Sequence, residues 1–445
     1  MLKLLCILSV VAIGVLMFFV KRQVKVGLLL LTAMLFSNVE VPFIPFGSNS
    51  VLLASVCMIF SELPRLGRYF KLSVHTPVGK LLLLVLAGGL VCCIFSPHLG
   101  TFSELKNFFI SEYMVKYFAL AYSFCLIRHP KDLRPILRIL FYGLLIMTFF
   151  AIIDLVTGSP IYIKELMKSN AISDERVYDI VAGYSLFINR SYVRSTFYLP
   201  HDYGYFCCLV LTLMSFGFKT RLIEKNRYLI SVLCCLFGIF SCGCRTVIFC
   251  TLIGAICFLL ATTSRKEFLR VLSISCISAI LLMCLPFVRN TFSKMMTMFS
   301  TSSKIEGSSL TMRMDQYSTV LDYVDGQQIF FGKGYNFFNI DMGWGDNDKS
   351  LMDSDLKGLE GVMMNLTLER GIFGAFIYIA FYISLLVLII RYKKYSRKLA
   401  ALGMTVLTIY LLFANMTGEL SSAFPTLIVI GYVLKSGYFV RRYNA

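Results

Sequence analysis

Apolar runs of about twenty residues recur along the whole chain, and they constrain its fold more than any other feature. Thirteen can be marked: 2–20, 26–46, 49–62, 77–96, 107–127, 135–156, 204–219, 228–244, 246–262, 268–288, 362–390, 399–416 and 418–434. A helix needs about 20 apolar residues to cross the roughly 30 Å hydrocarbon core of a bilayer. With 57% hydrophobic and only 15% charged residues, the chain cannot be a soluble domain. An all-α, polytopic integral membrane protein with about 12–13 transmembrane helices is predicted. The first run resembles a signal peptide, with Lys3 before an apolar core. It lacks a small-residue cleavage site and runs into Lys21-Arg-Gln-Val-Lys25, so it reads as a span. Glu40, Pro42 and Pro45 interrupt the second run and its junction with the third.

The net charge of +18 raises the question of nucleic acid, and its placement answers it. Alternate connections (21–25, 61–80, 128–138, 219–227, 265–270, 391–398 and the tail from Lys435) hold 26 of the 43 Lys and Arg, against four acids. The long connections 157–203 and 289–361 together hold 12 basic and 15 acidic residues. Basic loops stay in the cytoplasm, so the two long loops are expected outside, with the N-terminus outside and the C-terminus inside. The charge is a topology signal, and no nucleic acid is implied. His75 and His129 then fall inside, His98 and His201 outside. The fifteen cysteines form no CxxC pair and no zinc-type Cys/His spacing. They read as small hydrophobes within apolar runs. The chain divides into N-terminal helices 1–156, a first large periplasmic loop 157–203, central helices 204–288, a second loop 289–361 and C-terminal helices 362–445.

Chemistry is expected in the outer loops, because long loops between short connections are usually functional. The first closes on Arg190-Ser-Tyr-Val-Arg194-Ser-Thr-Phe-Tyr-Leu-Pro200-His201-Asp202-Tyr203-Gly204, which leads directly into a span. An arginine at a span's mouth offers a fixed fork of donors suited to a phosphate or pyrophosphate. Snorkelling anchors beside belt tyrosines are the plainer alternative. Arg245 sits in a connection too short to be a loop, with no acid nearby in sequence. In the second loop Leu310, Met314, Tyr317, Leu321 and Val324 recur at helical spacing, with Arg313 and Asp315 off that stripe. Gly332-Lys333-Gly334 reads either as a backbone nest for an anion or as a plain turn. The acidic stretch from Asp346 through Asp355 to Glu360 fits no EF-hand spacing and reads as a solvated loop. Glu369 and Arg370 open the next span and are expected to neutralise each other or neighbours in the bundle.

Four stretches, in order, resemble the O-antigen polymerase and O-antigen ligase superfamily of bacterial membrane glycosyltransferases. Arg194 through Pro200 to Gly204 is similar to its Arg-led segment ending in Pro-polar-x-x-Gly. Ser241-Cys-Gly-Cys-Arg245-Thr is similar to its Ser-x-x-Arg turn between helices. Arg313 with its helix and Phe331-Gly332-Lys333-Gly334-Tyr-Asn-Phe337 is similar to Arg-helix-Phe-Gly-x-Gly-x-x-Phe. Glu360 through Glu369-Arg370-Gly371 to Gly374 is similar to the ligases' His-Asn-x-x-Leu-x-x-x-x-Glu-x-Gly-x-x-Gly. Glu360-Gly361 stands where ligases carry His-Asn, and the Arg-to-Pro spacing leaves Arg190 as an alternative to Arg194.

What the resemblance implies is a fold of the GT-C kind in the bacterial inner membrane, acting as a polymerase of O-antigen or a similar surface polysaccharide. The substrate would be an oligosaccharide on undecaprenyl pyrophosphate. Arg190, Arg194, Arg245 and Arg313 are the implied clamp for the leaving pyrophosphate, and Glu360 or His201 the implied base. Arginines take the place of a metal, so neither metal nor cofactor is expected. A chain-length regulator protein and a flippase are the implied partners in the bilayer. O-antigen ligase and lipid-linked oligosaccharide flippase stand as alternatives.

Overall fold

The computed structural model describes residues 2–39, 49–96, 101–168, 193–264, 266–270, 273, 310–335, 337, 361–418 and 422–444. No β-strand occurs among them. The first part comprises α1 (Leu2–Phe19), α2 (Arg22–Leu35), α3 (Ser50–Ser61), α4 (Leu66–Val74), α5 (Pro77–Phe95) and α6 (Thr101–Asn107). A π-helical stretch, Phe108–Tyr117, leads into α7 (Phe118–Leu126), followed by α8 (Leu133–Thr157) and α9 (Ile161–Lys168). The centre holds α10 (Pro200–Lys219), α11 (Lys225–Ser241) and α12 (Arg245–Thr262). Next come α13 (Leu310–Tyr323), α14 (Gln328–Phe331), α15 (Val362–Arg391), α16 (Arg397–Thr417) and α17 (Ala423–Asn444).

Helices thus occupy twelve of the thirteen apolar runs, and 268–288 lies almost wholly outside the described residues. Seven of the described helices are long and apolar enough to cross a membrane, or up to eight if α3 and the helix bent 60° from it form one span. The shortfall from thirteen has physical causes. α2 has only 14 residues and α11 only 17, and the 107–127 run is broken into π and α segments. α10 is long enough but carries His201 and Asp202, and fifteen of its twenty residues are buried. A helix enclosed by neighbours needs little lipid-facing surface, so it tolerates polar residues that a lipid-exposed span does not.

Close packing around α10 explains the cysteines. A Cβ on Gly204 would lie 2.6 Å from Cys242 Sγ, and one on Gly238 would lie 2.4 Å from Cys207 Sγ. Small side chains let helices approach in a bilayer, where association relies on packing rather than hydrophobicity. α12 packs on α16, and α17 packs on α7 and α16, which ties the C-terminal helices into both halves of the bundle.

Basic connections gather at one end. Arg397 donates from Nε to the Ala261 carbonyl at 2.6 Å, and Lys398 from Nζ to the Lys219 carbonyl at 3.0 Å. At the break after α3, the buried Glu62 carboxylate meets Lys25 at 2.7 Å, Arg65 at 3.2 Å and Arg22 at 3.3 Å. A buried carboxylate demands such partners to offset its desolvation.

Candidate functional site

At the opposite end of the bundle, residues 193–199 fold inward instead of running over the surface. The Asp154 carboxylate, in the last turn of α8, accepts the Ser195 N–H at 2.7 Å and the Arg194 N–H at 3.3 Å through Oδ2. Ser195 has φ of 55°, a left-handed conformation that aims two successive N–H groups at one anion. Ser195 Oγ donates to the Met147 carbonyl at 2.7 Å, and Thr196 Oγ1 to the Met34 carbonyl at 2.8 Å. Asn38 closes the loop by donating to the Thr196 carbonyl at 2.9 Å. These contacts come from α8, from α2 and from the residues just after α2. Arg194 is consequently only 2% exposed, with Nη1 3.3 Å from the Tyr198 carbonyl.

Pro200 starts α10, where a missing N–H costs nothing, and Asp202 lies in the first turn, where the helix dipole favours a negative charge. His201 is half-buried, with its ring 5.9 Å from Phe413 near the end of α16. Val193 N–H donates to the Ser241 carbonyl at 3.3 Å, which binds the loop to the turn between α11 and α12. Arg245 opens α12 directly after that turn. It is half-buried and engaged with the rest of the chain, so the lack of a nearby acid in sequence does not leave it unpartnered. On the far side, a Cβ at Gly361 would lie 3.0 Å from the Asn415 carbonyl, two residues beyond Phe413. The structure therefore gathers Arg194, His201, Arg245 and the chain just after Glu360 at one end. Glu360, Arg190 and the acidic stretch 346–355 lie outside the described residues. Arg313 belongs to α13, but its side chain lies outside them too.

The second loop docks on a broken helix. α15 is interrupted at Gly371, with φ 62° and ψ −169°, which interrupts its regular hydrogen bonding. Lys333 N–H donates to the Leu368 carbonyl at 2.9 Å and Gly334 N–H to the Glu369 carbonyl at 3.0 Å. The backbones meet so closely that a Cβ on Gly332 would lie 2.2 Å from Arg370 N, and one on Gly371 2.4 Å from the Phe330 carbonyl. Of the two readings of Gly332-Lys333-Gly334, the turn holds: two of its N–H groups are used on α15, so the motif is a turn that clasps a helix break. The predicted stripe on α13 is corrected in part. Val324 is buried as expected, but Tyr317 and Leu321 are exposed, at 42% and 56%, while Gln316 and Val320 are buried instead. Val320 and Val324 meet Met364 and Leu368 on the first part of α15.

Under the clasp, Arg370 is ion-paired with buried Glu112 of the π-helical stretch, so its neutralising partner is a bundle neighbour. Its guanidinium also lies 5.6 Å from the Phe108 ring centre and 5.5 Å from that of Tyr335, within cation–π range. An open cleft of about 430 Å³, lined by Ser96, Asp325, Gln327, Gln328 and Lys333 among others, borders the clasp. Asp154 and the Glu112–Arg370 pair were not singled out as site residues from sequence. Asp154 did carry a signal, an acid inside an otherwise apolar span.

Fold and site together define an all-α, multi-pass membrane protein whose polar machinery sits at one end of its helix bundle. Residues 230–379 match the family described as O-antigen ligase. This match supports the O-antigen polymerase/ligase superfamily for the chain, and it spans Arg245, α13, the clasp and Arg370. No curated protein matches the chain.

Proposed function

We propose that this protein polymerises lipid-linked oligosaccharide repeat units on the periplasmic face of the inner membrane. It would transfer the growing glycan from undecaprenyl pyrophosphate to a new lipid-linked unit. The observation that carries this reading is the meeting of Arg194, His201, Arg245 and the start of α15 at one end of the bundle, within and beside the matched family domain. An acceptor hydroxyl attacks the donor's anomeric carbon, the carbon–oxygen bond to pyrophosphate breaks, and the hydroxyl proton passes to Glu360 or His201. Charge then accumulates on the departing pyrophosphate, and fixed guanidinium groups are the kind of preorganised stabilisation that contributes most. Arg245 and Arg313, with Arg190 or Arg194, form that clamp in this reading. Arg194, being buried, meets the pyrophosphate only if the loop moves. The cleft beside the clasp offers both donors and acceptors for sugar hydroxyls.

The second reading, O-antigen ligase, shares the matched family, which covers both activities, and is weakened by Glu360-Gly361 in place of His-Asn. Deleting the gene separates them. Loss of a polymerase leaves cells that flip and attach a single repeat unit, whereas loss of a ligase strands polymer on undecaprenyl pyrophosphate. A flippase defect traps single units on the cytoplasmic leaflet. Arg245→Ala is expected to reproduce the single-unit phenotype at unchanged protein level, with poor rescue by Arg245→Lys, which keeps the charge and loses the fork. Polymer of normal length in the deletion strain would end this reading.

A further inference from the structure

We propose that a phosphate-bearing headgroup binds in an arginine-lined cavity at the end of the bundle opposite the candidate site. The cavity lies between the start of α8 and the turn joining α10 to α11, and holds about 90 Å³. A single water needs on the order of 10–15 Å³ of such space, so a phosphate group is accommodated. Arg134 and Arg138 enter from α8, Arg221 from the turn and Arg227 from the first turn of α11. The first two are four residues apart and share one helix face. The lining contains one acid, Glu224, which stands 3.7 Å from Arg227. Four arginines against one glutamate leave three positive charges around a small space. Like charges so placed repel, and a phosphate removes that repulsion while engaging guanidinium forks. Leu137 and Phe141 form an apolar part of the same lining, suited to the glycerol and acyl portion of a lipid. Arg134 and Asp154 are twenty residues apart on α8, which at 1.5 Å per residue is about 30 Å, or one hydrocarbon thickness.

A second, independent observation concerns Arg221. Its φ is 58°, in the left-handed region that non-glycine residues seldom occupy. α10 ends there in a two-bond stop, with Leu222 N–H donating to the Gly217 carbonyl at 2.8 Å and Arg221 N–H to the Phe218 carbonyl at 3.1 Å. The left-handed position of that stop is usually glycine. An arginine held in an unfavourable backbone conformation, with its side chain in the cavity lining, points to a use for the guanidinium that outweighs the strain. Basic pockets between membrane helices on the cytoplasmic side are suited to anionic headgroups.

The test uses the purified full chain in detergent, supplied with phosphatidylglycerol, phosphatidylcholine, glycerol 3-phosphate or inorganic phosphate. Melting temperature and lipid retained in native mass spectra are read for wild type, the double variant Arg134→Gln/Arg138→Gln, and Arg221→Gly. Phosphatidylglycerol is expected to raise the melting temperature by several degrees and to bind at least tenfold more weakly to either variant. Arg221→Gly should melt no lower than wild type without lipid, because glycine relieves the backbone, so weaker binding there cannot be attributed to misfolding. A shift produced by phosphatidylglycerol alone assigns the site to lipid. A full shift from glycerol 3-phosphate or inorganic phosphate, lost in the variants, assigns it to a soluble phosphate. Equal retention of phosphatidylglycerol by wild type and both variants, or an equal shift from zwitterionic phosphatidylcholine, overturns the proposal.

Discussion

Asp154 holds the buried loop through one oxygen, and the chemistry of that oxygen can be separated from its charge. Replacing Asp154 by alanine strips the Arg194 and Ser195 N–H groups of their acceptor. A buried donor left without a partner costs about 1–3 kcal/mol, and Ser195 must also keep its left-handed backbone without that support. Asp154→Ala is expected to lower the melting temperature of the purified protein clearly, while Asp154→Asn, which keeps an acceptor oxygen, stays close to wild type. Equal losses in both would mean that the negative charge, not the acceptor, holds the loop. Residue-scale reading of the sequence singled out Arg194, His201 and Arg245 as candidates because charged groups at apolar boundaries stand out. It passed over Asp154, whose partners are backbone amides forty residues away and leave no mark in local spacing. Of the two partners the sequence allowed Arg370, Glu369 or a bundle neighbour, it is the neighbour, Glu112, that is supplied by a distant element.

Elements were legible where one physical requirement dominates. The need for about twenty apolar residues per span placed nearly every long helix among the described residues, and α10 was found despite its polar start because its later turns are apolar. The face of α13 was not legible. Leu310, Met314, Tyr317, Leu321 and Val324 satisfy helical spacing, as does the buried line through Gln316, Val320 and the same Val324, and only the position of α15 decides between them. The glycines around Lys333 were similarly ambiguous, since nest and clasp demand the same backbone freedom. The clasp itself is open to test through Gly371→Ala. The φ of 62° disfavours any side chain, and the added Cβ would lie 2.4 Å from the Phe330 carbonyl. The substitution should separate 330–334 from α15 and expose that segment to protease at a temperature where wild type resists. A melting curve and a cleavage pattern identical to wild type would show that the second loop is held by other contacts.

At the scale of the whole molecule, the two ends of the bundle differ in charge and in architecture, and that difference predicts how the chain sits in the membrane. Connections read as cytoplasmic from their lysines and arginines are brought together in space. Lys398 reaches the carbonyl of Lys219, Arg397 that of Ala261, and Arg134 and Arg138 share a cavity with Arg221 and Arg227. The buried loop, the clasp and the start of α15 lie at the other end. Because Lys and Arg near span ends resist translocation, the basic end should face the cytoplasm and the polar machinery the periplasm. Reporter fusions at Ser173 and Ser308 should then read outside, and a fusion at Lys131 inside. A fusion at Lys131 bears on the arginine cavity as well, since 128–138 leads into Arg134 and Arg138. A cytoplasmic Ser308 would put the loop bearing Arg313 and Glu360 on the side where lipid-linked units are still unflipped, and the polymerase reading would fall with it. The fusions test this independently of any enzymatic measurement, because topology is fixed by insertion whether or not the site is active.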